Sequence, residues 1–466
     1  MIRPPAAPDA LAPDERFGLD VLVDGSRLLP VDDPSADVVR LRVVDGGPGL
    51  GGLLGGAPWV EWSDGEVRVP RAALRHVTAV AGAGAEQGSG ARDRHGRVPA
   101  SENPLVAAGQ FRTPVVSRLA LALRRATVAA AGRRAVRLVA PWPGGRRWAA
   151  AFTHDLDVVT GWPLFALLRL TELGRAGEWP RAGAVLAAAA RATGTDPVWR
   201  GIFDLLQLEA SHTIRSTWFL LSGTPSVRSW ARGDVTYRIE SRRARRIAGA
   251  AASLGHEMGL HGSFATGPDA DAFIAERERL AAMTGAPALG VRQHFLRFRP
   301  GVTHRAQAQA GFAYDASSGF SDRNGFRLGL ADFVPAWDAE RGVPLDFTLV
   351  PLTWMDRALS KYQGVQDPER WVDDALELAD ACREVDGCWV GLWHPNVTDA
   401  LGFPGAHAAR SRLVGDIVAR RPYVDRLDAL VRWRMARRSV RARRVAPDGR
   451  VELGPHGDVP VALEDA

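Results

Sequence analysis

Cysteine is nearly absent from this 466-residue chain: Cys382 and Cys388 are the only two, too few and too close together for a disulfide framework or a four-ligand zinc site. The fold therefore does not depend on an oxidising compartment. Lysine is scarcer still, with Lys361 alone, so the excess of 59 basic over 53 acidic side chains is carried by arginine. Ala, Gly, Val and Arg dominate the whole sequence, which is the signature of GC-rich codons rather than of a surface adapted to nucleic acid. The arginines at 242–246 and 432–444 fall at helical spacing and read as solvated faces, so nucleic acid is not expected as a partner. Long apolar runs are also missing. The first twenty residues hold no stretch of the length a signal peptide needs, and nothing later reaches the roughly 18 uncharged apolar residues of a membrane span. A soluble, cytoplasmic protein without a membrane span is expected.

What is present suits a main domain plus a smaller one. Residues 20–75 show short β-like runs (20–23, 38–44, 59–69) broken by Gly, Pro and Asp; residues 81–101 read as a flexible loop, and 115–131 has the spacing of an amphipathic helix. PWPGGRR at 141–147 reads as a linker, closing an N-terminal mixed α/β domain over 1–145 to which no task is assigned. From 146 to 440, short apolar runs alternate with Ala/Arg/Leu-rich helical stretches, the habit of a parallel sheet or barrel. Strands are expected at 148–153, 216–221, 257–260, 290–293, 312–315, 333–336, 347–352 and 389–393, enough for seven or eight in a barrel, with a helical insertion over 165–210. Residues 441–466 read as a C-terminal tail or small hairpin.

In α/β barrels the reactive side chains sit where strands end, because the strand fixes the backbone and the following loop leaves the side chain open. The first barrel strand ends in Thr153-His154-Asp155-Leu156-Asp157; alternation points Asp155 and Asp157 to one face and His154 to the other. Two carboxylates sharing a face suit a cation ligand and a general base, since the metal lowers the cost of holding both ionised. In Gly255-His256-Glu257-Met258-Gly259-Leu260-His261-Gly262-Ser263 the two histidines lie about 16 Å apart in extended chain and on opposite faces, so His261, at the strand end, is the better ligand and His256 is structural. Val291 to Pro300 concentrates cations and aromatics, with Arg292 and His294 on one face, which suits either a surface loop or a sugar site. Trp389 to Asn396 is a buried strand ending in His394, placed to act as a general acid, with a core histidine as the alternative.

Taken in order, these strand ends resemble the NodB-homology motifs of polysaccharide deacetylases over about residues 146–420. The resemblance implies a distorted (β/α) barrel of seven or eight strands and a hydrolase acting on a carbon–nitrogen bond, removing N-acetyl groups from a saccharide. It makes Asp155 the catalytic base, Asp157 and His261 ligands of a divalent ion such as zinc, Arg292 a pocket arginine orienting Asp155, and His394 the general acid. It also places Tyr314-Asp315-Ala316-Ser317 and Leu392-Trp393-His394 at family segments, so that His294, Arg297, Asp315 and Trp393 are expected at the substrate. Asp93-Arg94-His95-Gly96-Arg97 and Arg112-Thr113-Pro114-Val115-Val116 are similar to the N-terminal region of one branch, which shares the Thr-His-Asp-x-Asp opening. One departure stands out. The family's second metal histidine falls four residues after the first, where this chain has Ala265. Either His294 or His394 substitutes, or the ion is lost and the barrel binds saccharide without cleaving it.

Overall fold

The computed structural model describes residues 1–5, 11–160, 162–191, 196–446, 450–455 and 462–466. An N-terminal sheet of four strands comes first: β1 (Ile2–Arg3), β2 (Val39–Val44), β3 (Glu61–Ser63) and β4 (Glu66–Pro70), in the order β1-β2-β4-β3. β5 (Arg137–Val139) follows, and then the main sheet: β6 (Ala149–Leu156), β7 (Thr217–Leu221), β8 (Glu257–Gly262), β9 (Gly290–Gln293), β10 (Tyr314–Asp315), β11 (Val334–Asp338), β12 (Val343–Leu349), β13 (Trp354–Met355), β14 (Cys388–Leu392) and β15 (Tyr423–Val424). β16 (Ala442–Val445) pairs with β17 (Val451–Leu453) in a hairpin, while β18 (Leu463–Asp465) pairs with β5.

The main sheet runs β11-β12-β10-β9-β8-β7-β6-β14-β13, with β15 beside β6. From β12 to β13 every pairing is parallel, giving the eight-strand parallel run of a distorted (β/α) barrel, and β11 joins its edge antiparallel. Every residue of β6, β7, β9 and β14 is buried, as parallel strands covered by helices require. The expected strands all appear, although β10 is shorter. β13 and β15 went unread: two residues each carry no alternation to detect.

Two N-terminal readings are corrected. Residues 20–23 are helical, inside the helix Pro13–Ser26. Pro13 at the first turn with Asp14 and Glu15 behind it starts that helix, and Leu19, Leu22 and Val23 lie buried on its inner face. Nor is 81–101 a loose loop. It contains the helix Gly84–Gly88, whose Glu86 is buried in a bidentate pair with Arg327 and accepts from Asn103, and a turn in which Asp93 accepts from the backbone of His95 and Arg97. Buried charge pairing, invisible in a Gly- and Ala-rich stretch, orders it. The helix at Val115–Ala131 has the expected bounds, and the insertion forms three helices, Trp162–Arg175, Trp179–Arg191 and Pro197–Ser211; residues 192–195 of it lie outside the described residues.

The N-terminal region shares a continuous hydrophobic core with the barrel, and Phe17 packs against Trp337 with ring centroids 4.9 Å apart. A buried ion cluster joins them as well. Asp24 meets Arg434 at 2.8 Å and Arg438 at 3.0 Å, and Arg434 and Arg437 also reach Asp332. Burial pushes the Asp24 carboxyl up, but Arg434 and Arg438 outweigh it and hold the carboxyl well below the usual range. This group's stabilisation is therefore present above the ordinary carboxylate pKa near 4 and is lost as pH falls below it. Asp24→Asn, leaving buried guanidinium charge under-compensated, is expected to cost about 3 kcal/mol. Denaturant unfolding should show that deficit at neutral pH and a smaller one toward pH 3.

Candidate active site

The strand ends on one side of the main sheet converge on a cleft of about 340 Å³ whose floor includes Asp155, Asp157, His261, His294 and His394. Asp155, the seventh residue of β6, is buried and accepts from the Arg292 Nη1 at 2.9 Å. Arg292, the third residue of β9, also donates from Nη1 to Thr153 Oγ1 at 2.9 Å and from Nε to the Ala316 carbonyl at 3.0 Å, and lies over the Phe219 ring. Its guanidinium is thus clamped flat against the strands. Burial raises the Asp155 pKa, but the charges of Arg292, then His261 and His394, outweigh it and leave the carboxyl below its usual range. Asp155 is held as a carboxylate.

Asp157 stands one step past β6 on the same face, as alternation required. Its Oδ1 lies 3.3 Å from His261 Nε2 and 3.6 Å from His294 Nε2. One ligand atom from each of Asp157, His261 and His294 lies within 4.8 Å of the other two. The outer nitrogens are engaged. His261 Nδ1 is 2.9 Å from the Arg292 carbonyl, which can only accept, so Nδ1 carries a proton and Nε2 is turned to the carboxylates; burial works against the imidazolium, but Asp155 and Asp157 raise its pKa above the ordinary histidine value. His294 Nδ1 is 2.9 Å from Asp234 Oδ1, and Asp234 is itself fixed by the Phe264 amide at 3.1 Å. An imidazole whose far nitrogen is held by a carbonyl or carboxylate is the usual support of a metal ligand. The buried Asp157 Oδ1 has no hydrogen-bond partner of its own. An orphaned carboxylate oxygen facing the Nε2 atoms of two histidines is a donor set that fits a small divalent ion, zinc by its N/O preference.

His294 reaches this position through a tight turn. Phe295 and Leu296 adopt left-handed backbone, φ 61° and 50°, conformations that cost an ordinary residue on the order of 1–2 kcal/mol each. The Phe295 ring stacks on His294, centroids 3.9 Å apart, and on His95 at 5.1 Å. Ala265 is exposed on the turn after β8.

His394 follows β14, its Nδ1 2.6 Å from Asp356 Oδ1, its backbone N–H donating to Asp356 Oδ2 at 2.9 Å and its Nε2 3.9 Å from Asp157 Oδ2. Burial works against the imidazolium, but Asp356, with Asp157 and Asp155 beyond it, raises the pKa above the ordinary histidine value. His154 faces away as expected, its ring between the Trp393 carbonyl and Glu209, both at 2.8 Å. His256 accepts from the Ser216 amide, outside the cleft.

Other expected substrate residues are placed elsewhere. Arg297 spans the His95 and Phe264 carbonyls, Trp393 is packed between Trp354 and Trp371, and Asp315 is buried under Ser317 and Gln307, its pKa pushed up by burial to about 6. None of the three lines the cleft. Aromatic, cationic and acidic residue types pointed at sugar, but Arg297 and Trp393 lie past the ends of β9 and β14, where backbone carbonyls and neighbouring tryptophans take them up, and Asp315 is buried within β10. Asp234 and Asp356 were not read from sequence. Asp356 follows β13, too short to register, though an acid directly after Thr-Trp-Met was a strand-end signal of the kind found elsewhere.

No protein-family model matches the chain, and no curated protein matches it. The solved structures it is similar to include polysaccharide deacetylases. One, from Mycobacterium smegmatis and assigned to those enzymes, is 18% identical over 66% of this chain and 95% of its own, with a TM-score of 0.43. Another so assigned, from Pseudomonas aeruginosa, is 17% identical over 63% and 92%, at 0.41. A CE4 family pseudoenzyme from Bacillus anthracis is 10% identical over 61% and 65%, at 0.32. At these identities and TM-scores the likeness decides nothing about activity, and the reading of the site rests on its own side chains. No described helix is long and apolar enough to cross a membrane.

Proposed function

We propose that the chain is a metal-dependent hydrolase that removes N-acetyl groups from a saccharide. The observation that carries this reading is the convergence of Asp157, His261 and His294 on one point, flanked by the Arg292-bound carboxylate of Asp155 and the Asp356-bound imidazole of His394. Asp157, His261 and His294 would hold the ion, which supplies Lewis acidity toward an amide carbonyl and toward water. Asp155 is the base: ionised, clamped by Arg292 and facing the cleft, it takes the proton of the attacking water. His394 is the acid, since Asp356 keeps it protonated until it gives its proton to the departing amine. An acid and a base set apart by opposite environments are what amide hydrolysis needs at neutral pH.

A saccharide-binding protein without activity is the competing reading, suggested by Ala265 where a second histidine was expected. His294 answers that gap, because a histidine from the neighbouring strand end supplies the missing nitrogen. Acetate release from a panel of N-acetylated sugars, with and without chelator, separates the two. The hydrolase reading expects release that chelator abolishes and divalent zinc restores; sugar binding with no acetate under any metal would defeat it.

A further inference from the structure

Beyond the catalytic floor, the cleft holds positive charge that the hydrolysis does not use. Arg97 and Arg169 on its wall are paired, with Asp93 at 2.7 Å and Glu172 at 3.0 Å. Arg357 and Lys361, four residues apart at the turn that follows Asp356, are not. Among the described residues neither side chain makes a hydrogen bond or an ion pair; Arg357 lies 5.3 Å from the Phe403 ring and Lys361 5.8 Å from the Tyr362 ring, with the Glu172 carboxylate acting on both at longer range. Arg169 crowds the same Phe403 ring at 4.5 Å, and its buried Nε has no partner. Two guanidinium groups against one ring repel each other, and burial works against the charge of Arg357, offset in part by Asp356 and Glu172. The chain's single lysine and an arginine with no direct ion pair thus sit on the wall of the cleft with donors free to meet an anion.

We infer that Arg357 and Lys361, with Arg169 behind them, form a subsite for a phosphoryl group, so that the saccharide bound here is a phosphate ester of an N-acetylated sugar. This rests on the hydrolase reading for the sugar and its acetyl group, but the subsite stands on its own geometry. The phosphate could belong to a soluble sugar phosphate or to a lipid-linked one. The helix Trp162–Arg175, which lines the cleft through Phe165 and Arg169, leaves Leu164 and Leu167 40% and 57% exposed, an apolar edge that a lipid chain would cover.

The test uses the full-length Asp155→Asn protein, so that turnover does not intrude, and titrates it with N-acetylglucosamine 1-phosphate and with N-acetylglucosamine. The phosphate is expected to bind at least tenfold more tightly at low ionic strength, with the gap narrowing as salt rises. Arg357→Gln, and separately the more exposed Lys361→Met, should bring the ratio of the two affinities to below threefold. Equal affinities in the parent, or variants that weaken both sugars alike, would overturn the subsite. Sedimentation with phosphatidylcholine vesicles carrying polyprenyl-phosphate-linked N-acetylglucosamine separates the sources: preference for either phosphate over the neutral sugar supports the proposal, and preference for neither overturns it. If phosphate preference holds while the wild-type chain releases no acetate, the hydrolase reading fails and the subsite survives.

Discussion

Asp155→Asn is expected to slow acetate release by about 10²–10⁴-fold, the ordinary contribution of a positioned proton acceptor, while the protein keeps its divalent ion. The ion's proposed ligands are Asp157, His261 and His294, none of which the substitution touches. The variant also leaves the buried Arg292 without its charge partner, although the Thr153 hydroxyl and the Ala316 carbonyl remain to it. A stability loss of about 3 kcal/mol should accompany the loss of activity. Its pH dependence has a fixed sign: the Asp155 pKa is lowered by folding, so its stabilisation is present above the ordinary value near 4 and fades as pH drops below that. Steady-state kinetics, metal analysis and denaturant unfolding on one preparation check all three. A variant that lost its ion together with its activity would place Asp155 among the ligands instead.

Asp356→Asn should act through His394 and be read in the pH profile. Asp356 is the largest influence raising the imidazole pKa against burial, and its carboxylate accepts from both the ring and the backbone of His394. Because folding raises this pKa, the imidazolium contributes stability below about pH 6.5 that is lost as pH rises through the folded value. Without the carboxylate, His394 gives up its proton earlier. The alkaline limb of kcat is expected to move down by about one unit or more, where one unit corresponds to 1.36 kcal/mol, with kcat at neutral pH reduced about tenfold or more. A variant with reduced kcat but an unmoved alkaline limb would make Asp356 a packing residue.

The sequence carried the strand ends because they follow simple rules. A buried run such as 389–393 is apolar throughout, and alternation alone placed Asp155 and Asp157 together and turned His154 away. It also left the third nitrogen open between His294 and His394, since both follow strands that could point inward. We take His294, because its Nε2 lies 3.6 Å from Asp157 Oδ1 and groups with His261, whereas His394 Nε2 stands 3.9 Å from Asp157 Oδ2; the left-handed pair Phe295-Leu296 that turns its ring carries no periodic signal. Asp234 escaped for the same reason, sitting in a loop with no pattern and defined only by the His294 ring and the Phe264 amide it serves. In the N-terminal region, 20–23 was misread because four residues cannot distinguish a strand from the inner face of a helix.

The account turns on His294, the proposed third ligand in a chain that has Ala265 where a second histidine was expected. The most direct measurement is elemental analysis of purified wild-type protein and of His294→Ala, run beside acetate release. The account predicts about one divalent ion per wild-type chain and, in the variant, loss of the ion and of activity together. Full metal content in His294→Ala, or a wild-type chain that cleaves N-acetyl sugars with no ion bound, would contradict it.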